Sequence, residues 1–218
     1  MRKGIALSAA AAALVMTAAS VTPAAAAASE RLLAHGPTGV TIKIVNYNGS
    51  GCPKDTAEVA IAPTADSFTI TYAKYIAQAG GTATPIDSRK SCQLVLNVHV
   101  PHGYSYSVSS TEHRGYASLQ PGANGTQVAT YYFQGQPETA AIPHSLVGPL
   151  KKNWQFNDSV PVSQLVWSPC GEERNFNIKT EVRVDPGTSD PTKVSFVGVD
   201  SLDNTIKTIY RYTWKLCP

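Results

Sequence analysis

Several things are scarce in this chain of 218 residues, and each scarcity excludes a class of function. Charged residues make up only 15% of it and no long basic run occurs, so the electrostatic footprint of a nucleic-acid binder is missing. There is no G-x-S-x-G elbow, no H-E-x-x-H and no Gly-rich phosphate loop. That removes the hydrolases and nucleotide-dependent enzymes whose sites leave a local signature. No C-x-x-C pair occurs among the four cysteines. Beyond residue 28 no apolar run approaches the roughly 18 residues of a membrane span. Nor does any window of about ten residues there repeat its apolar positions every 3.6 residues, so long amphipathic helices are not expected.

What is present begins with an export signal. Arg2 and Lys3 precede an Ala-rich apolar stretch from Ile5 to Val21, and Ala24–Ala28 offers small-x-small cleavage sites. Residues 1–28 are read as a secretory signal peptide and residues 29–218 as one secreted domain. No twin arginine is present, which favours the general secretory route. Cys52 lies far from any cleavage site and the end, Trp214 to Pro218, carries no hydrophobic anchor, so soluble extracellular release is expected. The 18 basic residues less Arg2 and Lys3 leave 16 against 15 acidic ones, a net charge of about +1.

Outside the cell, disulfides persist. Cys52, Cys92, Cys170 and Cys217 allow three pairings. Cys52–Cys92 with Cys170–Cys217 is favoured because each bridge then stays within one half of the chain. Closing loops of that length contributes roughly 4 kcal/mol per bridge before strain is deducted.

The remainder reads as short strands divided by Gly, Pro, Asn and Asp. Val40, Ile42 and Ile44 alternate with polar residues, and Val59–Ile61 and Phe68–Tyr72 follow. Ala79 to Ser88 reads as a loop. In the next strand Cys92, Leu94, Leu96, Val98 and Val100 share one face, while Gln93, Asn97 and His99 share the other. Pro101-His102-Gly103 turns the chain back through Tyr104, Tyr106 and Val108. A strand over 128–133 is followed by a long connection from Gly135 to Lys152, with Pro137, Pro143 and Pro149 spaced through it. Phe176 to Val184 alternates against Asn177, Lys179, Glu181 and Arg183, and strands over 194–199 and 206–216 close the chain. About ten short strands without helices predict an all-β antiparallel sandwich stapled by disulfides.

Two polar sets resemble metal sites only as text. His99, His102, Glu112 and His113 would need a common ion. If the chain reverses at His102, residue 99 pairs near 105 and residue 113 near 91. His99 and His113 then stand roughly 26 Å apart at ~3.3 Å per strand residue, whereas zinc ligands lie about 2 Å from the metal. Asp185 and Asp190 precede the 194–199 strand and Asp200 and Asp203 follow it, so they fall at opposite ends and match no calcium loop. No metal or cofactor is expected. A Ser–His–Asp set built from distant segments is defined by geometry and leaves no trace in sequence.

Aromatic placement carries the remaining signal. Tyr210, Tyr212 and Trp214 share a face of the last strand, opposite Arg211 and Lys215, and Tyr104 and Tyr106 share a face of another. These five are the candidate ligand-contact residues, since an exposed aromatic row stacks on sugar rings or packs against a partner. The bland reading is a core face of large side chains. Sequons at Asn48, Asn124 and Asn157 matter only in a glycosylating host.

Several segments together resemble a family of small secreted proteins known as domain of unknown function 4360, found in bacteria and fungi. They are Gly51-Cys52-Pro53, Cys92-Gln93-Leu94, Pro101-His102-Gly103-Tyr104, Arg114-Gly115, Tyr132-Phe133-Gln134-Gly135, Gly148-Pro149, Trp167-Ser168-Pro169-Cys170, Asn177-Ile178 and Arg183. The resemblance implies a secreted domain with the four cysteines in its framework, and no reaction, substrate or partner. The leading functional expectation is a non-enzymatic extracellular β-domain that binds a polysaccharide or a protein. A secreted hydrolase with a dispersed site and an inhibitor of such hydrolases are the alternatives. A serine or carboxylate within reach of a histidine in a cleft favours catalysis, an exposed aromatic strip favours binding, and a protruding rigid loop favours inhibition.

Overall fold

The computed structural model describes residues 31–199 and 207–218. Alternating apolar and polar residues produce thirteen strands: β1 (Leu32–Leu33), β2 (Thr41–Asn48), β3 (Ala57–Ile61), β4 (Ser67–Tyr72), β5 (Ile76–Ala79), β6 (Arg89–His99), β7 (Tyr104–Leu119), β8 (Asn124–Phe133), β9 (Ile142–Val147), β10 (Leu150–Ser159), β11 (Phe176–Asp185), β12 (Ser195–Gly198) and β13 (Thr208–Leu216). Two short 3-10 turns, Pro85–Ser88 and Val162–Gln164, are the helical elements among the described residues.

The strands form two antiparallel sheets packed face to face. The five-stranded sheet runs β2-β6-β11-β8-β9. The eight-stranded sheet runs β3-β4-β13-β7-β12-β5, with β1 added to β13 and β10 added to β7. Period-two alternation sends Leu94, Leu96, Ile178, Val182 and Phe133 inward from the first sheet, against Phe68, Ile70, Tyr106, Tyr210 and Trp214 of the second. All ten are nearly inaccessible to solvent. Each such side chain contributes about 1.5–3 kcal/mol of burial. Ring pairs within the core add geometric order: Phe68 stacks on Tyr210 at 4.6 Å, and Tyr106 meets Phe133 edge-on at 5.3 Å. The indole N–H of Trp214, the largest fully buried side chain, donates to the Ala65 carbonyl at 2.7 Å.

The cysteines are joined as Cys52–Cys92 and Cys170–Cys217, with Cα separations of 5.2 and 5.8 Å. The first closes the connection from β2 to β3, and the second closes the segment between β10 and β11 against the residue after β13. Each therefore pins a crossover between sheets.

The structure corrects three details read from the sequence. β6 and β7 are not a hairpin. β6 pairs with β2 and β11, and β7 with β10, β12 and β13. Pro101-His102-Gly103 instead carries the chain from one sheet to the other, with Gly103 at φ 86. Both strands have strongly apolar faces, and placing them face to face buries both. The stretch from Gly135 to Lys152 is not a plain connection, because it holds β9 and the start of β10, joined through a cis Gly148–Pro149 peptide. Pro143 sits within β9, an edge strand, where a missing donor breaks no inner ladder. The loop from Ala79 to Ser88 contains the Pro85–Ser88 turn.

Candidate functional site

The aromatic residues singled out in the sequence are almost all core. Tyr210 and Trp214 are 0% exposed, Tyr106 1% and Tyr212 5%. They are closed to a ligand because β13 and β7 turn this face toward the five-stranded sheet. Tyr104, at the end of its strand, is half-buried and lines a pocket of about 250 Å³ with His99, Pro101, His102, Glu173 and Arg174.

That end pocket brings a carboxylate to a histidine, since His99 Nδ1 lies 2.5 Å from Glu173 Oε1. The His99 hydrogen bond holds the Glu173 carboxyl below the usual carboxylate range. Both side chains are more than half exposed, at 52% and 58%, so little preorganised low-dielectric environment surrounds them. Ser168 on the pocket wall is committed elsewhere. Its hydroxyl accepts from the Tyr106 backbone N–H at 3.0 Å and lies 3.3 Å from the Ser105 hydroxyl. His113 is buried and bonded to the Tyr131 hydroxyl at 2.8 Å, and His144 pairs with Asp158 at 2.9 Å. Each of these three histidines thus bonds to Glu, Tyr or Asp, and none to a serine. His99 and His113 belong to different sheets, and no group of three or more metal-ligating side chains converges among the described residues. Asp185 and Asp190 accept hydrogen bonds from Gly187 N–H and Thr192 N–H within their own turns. Asp200 and Asp203 lie outside the described residues.

The outward faces of the two sheets carry different chemistry. On the five-stranded sheet, β6 and β11 point Gln93, Lys179, Glu181, Arg89 and Arg183 outward, and β8 adds Thr130, around a shallow cleft of about 450 Å³. Glu181 sits between two guanidiniums. Its Oε2 accepts from Arg89 Nε at 2.6 Å and its Oε1 from Arg183 Nε at 3.1 Å. Burial alone would push the Glu181 carboxyl up, but the hydrogen bonds and charges of Arg89 and Arg183 outweigh it and hold it below the usual range.

On the eight-stranded sheet, two rings meet on the outside. Tyr116 of β7 and Phe196 of β12 lie 5.9 Å apart at 33°. They are diagonal neighbours, with Tyr116 opposite Gly198 and Phe196 opposite Ser118. The rings are flanked by Asn153, opposite Tyr116 on β10, and Gln78, opposite Phe196 on β5. Neither amide makes a side-chain hydrogen bond among the described residues, and Asn153 is exposed. Gly115 makes the platform possible. A Cβ on Gly115 would stand 2.0 Å from the Gly198 carbonyl and 2.3 Å from the Trp154 ring, so any larger residue would force β7 and β12 apart beneath the ring pair.

Tyr116 and Phe196 are the residues that sequence reasoning missed. The signal that would have found them is the small inward set Gly115, Ala117 and Val197, whose alternation sends Tyr116 and Phe196 outward.

Comparison with known proteins adds a family and a relative. A protein of Arthroderma benhamiae described as an uncharacterized secreted protein is 35% identical over 184 residues, covering 84% of this chain and 74% of that one. Solved structures align loosely. The enzymatically active domain of bacteriophage CBA120 tailspike protein 4 gives a TM-score of 0.28 at 10% identity, over 83% of this chain and 20% of its own. The family 11 carbohydrate-binding module of Clostridium thermocellum gives 0.22 at 9% identity, over 85% of this chain and 95% of its own. Scores at this level carry no argument. The family model matches over residues 38–217, and the chain belongs to the family described as domain of unknown function (DUF4360).

Proposed function

We propose that this protein is a secreted, non-catalytic module that binds an extracellular polysaccharide through the Tyr116–Phe196 face. The apolar N-terminal stretch, two disulfides and a relative described as secreted support the location. One observation carries the binding mode: two partly exposed rings tilted at 33° beside amides whose hydrogen-bonding groups are unspent. A pyranose ring presents apolar C–H groups on its faces and hydroxyls at its rim. Aromatic rings cover the first, and amides, which both donate and accept, serve the second. An open strand face suits a chain passing over it, whereas a small molecule is better enclosed by a concave pocket.

Retention of purified protein on insoluble cellulose, chitin and xylan tests this reading. The wild type is retained on at least one of them, and the double variant Tyr116→Ala, Phe196→Ala is retained at least ~10-fold less, a decade being about 1.4 kcal/mol. Circular dichroism verifies that the variant is folded. Retention on none of the polymers, or unchanged retention by the folded variant, overturns the platform. Soluble sugar released during incubation overturns the non-catalytic assignment and points to the pocket holding His99 and Glu173.

A further inference from the structure

We infer that the cleft on the opposite face, between Arg89 and Arg183, is a second site that takes an oxyanion, the carboxylate or sulfate of an acidic polysaccharide. The inference rests on the reading of the protein as polysaccharide-binding but concerns different residues on the other sheet. Arg89 and Arg183 are direct register partners on adjacent strands. Like charges placed directly opposite each other destabilise a sheet, so such a pair needs compensation. Glu181 supplies part of it. Each of its oxygens takes the Nε and one terminal nitrogen of one guanidinium, at 2.6 and 2.5 Å for Arg89 and at 3.1 and 2.5 Å for Arg183. One carboxylate against two guanidiniums leaves a charge of +1.

The geometry prepares the site as well as charging it. Glu181 uses one side of each guanidinium and fixes its plane, which leaves the remaining terminal nitrogen of each unspent among the described residues. The carboxylate is only 17% exposed while the arginines are 61% and 54% exposed, so the anion of the triad lies beneath and its cations reach solvent. A planar or tetrahedral oxyanion is matched by such paired N–H groups. Around them the cleft offers the Ser91 and Thr130 hydroxyls and the Gln93 amide oxygen, its nitrogen donating to the Tyr132 hydroxyl at 3.0 Å, which suit the neighbouring hydroxyls of a sugar. Lys179 stands further along the wall, paired with Glu138 at 2.9 Å. The volume of about 450 Å³ falls within the range of ligand sites.

Affinity electrophoresis through gels containing polygalacturonate or neutral pullulan, at about 50 mM salt, tests the site. It compares the wild type, the double variant Arg89→Gln, Arg183→Gln, and the platform double variant at Tyr116 and Phe196. The wild type and the platform variant are retarded by polygalacturonate, the arginine variant at least ~10-fold less, and the preference for the acidic polymer vanishes near 0.5 M salt. Because the platform variant keeps its arginines, acidic binding in it supports the site even if the platform itself fails. Equal retardation of wild type and folded arginine variant by polygalacturonate overturns the inference. Inorganic phosphate serves as a probe of free anions. Competition by millimolar phosphate against the polymer supports the shared oxyanion chemistry. Phosphate binding without any polygalacturonate retardation overturns the polymeric source. An Arg89→Lys, Arg183→Lys variant separates charge from geometry. Restored retardation to wild-type strength overturns the fork, and partial recovery supports it.

Discussion

His113 gives the sharpest quantitative test of the packing described above. It is 1% exposed, on the inward face of β7, with its Nε2 bonded to the Tyr131 hydroxyl. Burial pushes its pKa down to about 4. The Asp158 charge pulls it up and His144 pushes it further down. An unfolded histidine titrates near 6.5, so between these values the unfolded chain binds a proton that the native state refuses. Stability from this group is therefore complete above about pH 6.5 and falls as the pH drops toward 4. The separation corresponds to about 3 kcal/mol in full, and to about 2–3 kcal/mol between pH 7.5 and 4.5. With a urea m-value of about 2 kcal/mol/M, the wild-type midpoint drops by roughly 1 M over that interval. Replacing His113 by Gln keeps a hydrogen-bonding partner for Tyr131 and removes the titration. Carboxylates and the other histidines are common to both proteins, so they cancel in the difference between the two pH profiles. Urea unfolding followed by tryptophan fluorescence at half-unit pH steps reads it. Parallel profiles for wild type and His113→Gln refute the reasoning, as would a His113 resonance titrating near 6.5 in the native protein.

Four further outcomes are expected. The Tyr106 hydroxyl is buried without a hydrogen-bond partner among the described residues, so Tyr106→Phe holds or raises the thermal midpoint. Tyr75→Phe breaks the bond to Thr180 at 3.1 Å and costs about 1–2 kcal/mol, which chemical denaturation resolves. Non-reducing peptide mapping recovers Cys52 with Cys92 and Cys170 with Cys217, and a detectable thiol in the folded protein would contradict it. The secreted chain begins between Ala27 and Ser29, as N-terminal sequencing of medium protein would show, and retention of Met1 on a membrane-bound product would count against export.

Much of the sandwich is readable in the sequence where one face is plainly apolar. In β6 and β11 the alternation separates Leu94, Leu96, Ile178 and Val182 from Gln93, Lys179, Glu181 and Arg183, and the cleft residues follow from that separation. The partly exposed ring pair is harder to read, for a local reason. β7 contains a bulge: Tyr212 pairs with Val108 and Arg211 with Ser110, leaving Ser109 without a counterpart. The extra residue reverses the alternation, so Thr111, His113 and Gly115 point inward where a two-residue step from Tyr106 would have placed Ser110, Glu112 and Tyr116. Tyr116 thus reaches the surface because of one residue, Ser109, inserted into the ladder with β13. Phe196 is hidden differently, since Ser195-Phe196-Val197 offers an apolar residue to either face and the larger one faces out. β9 escapes notice because an edge strand tolerates Pro143 and polar residues that an inner strand would not.

The placement of the two disulfides has a consequence for how the chain reaches its native state. Cys92 lies on β6 seven residues before His99, a run of roughly 23 Å at ~3.3 Å per residue. The other bridge sits at the His99 end, where Gly171 lines the same pocket as His99 and the N–H of Cys217 donates to the Gly103 carbonyl. A disulfide needs its Cα atoms within about 7 Å. Neither crossed isomer can therefore coexist with the assembled sheets. Scrambled chains emerge as non-native species that chromatography separates, and not as subtly altered versions of the folded protein. Completion of the sandwich is itself the proofreading step for thiol pairing, so oxidative refolding with a reshuffling thiol converges on a single isomer.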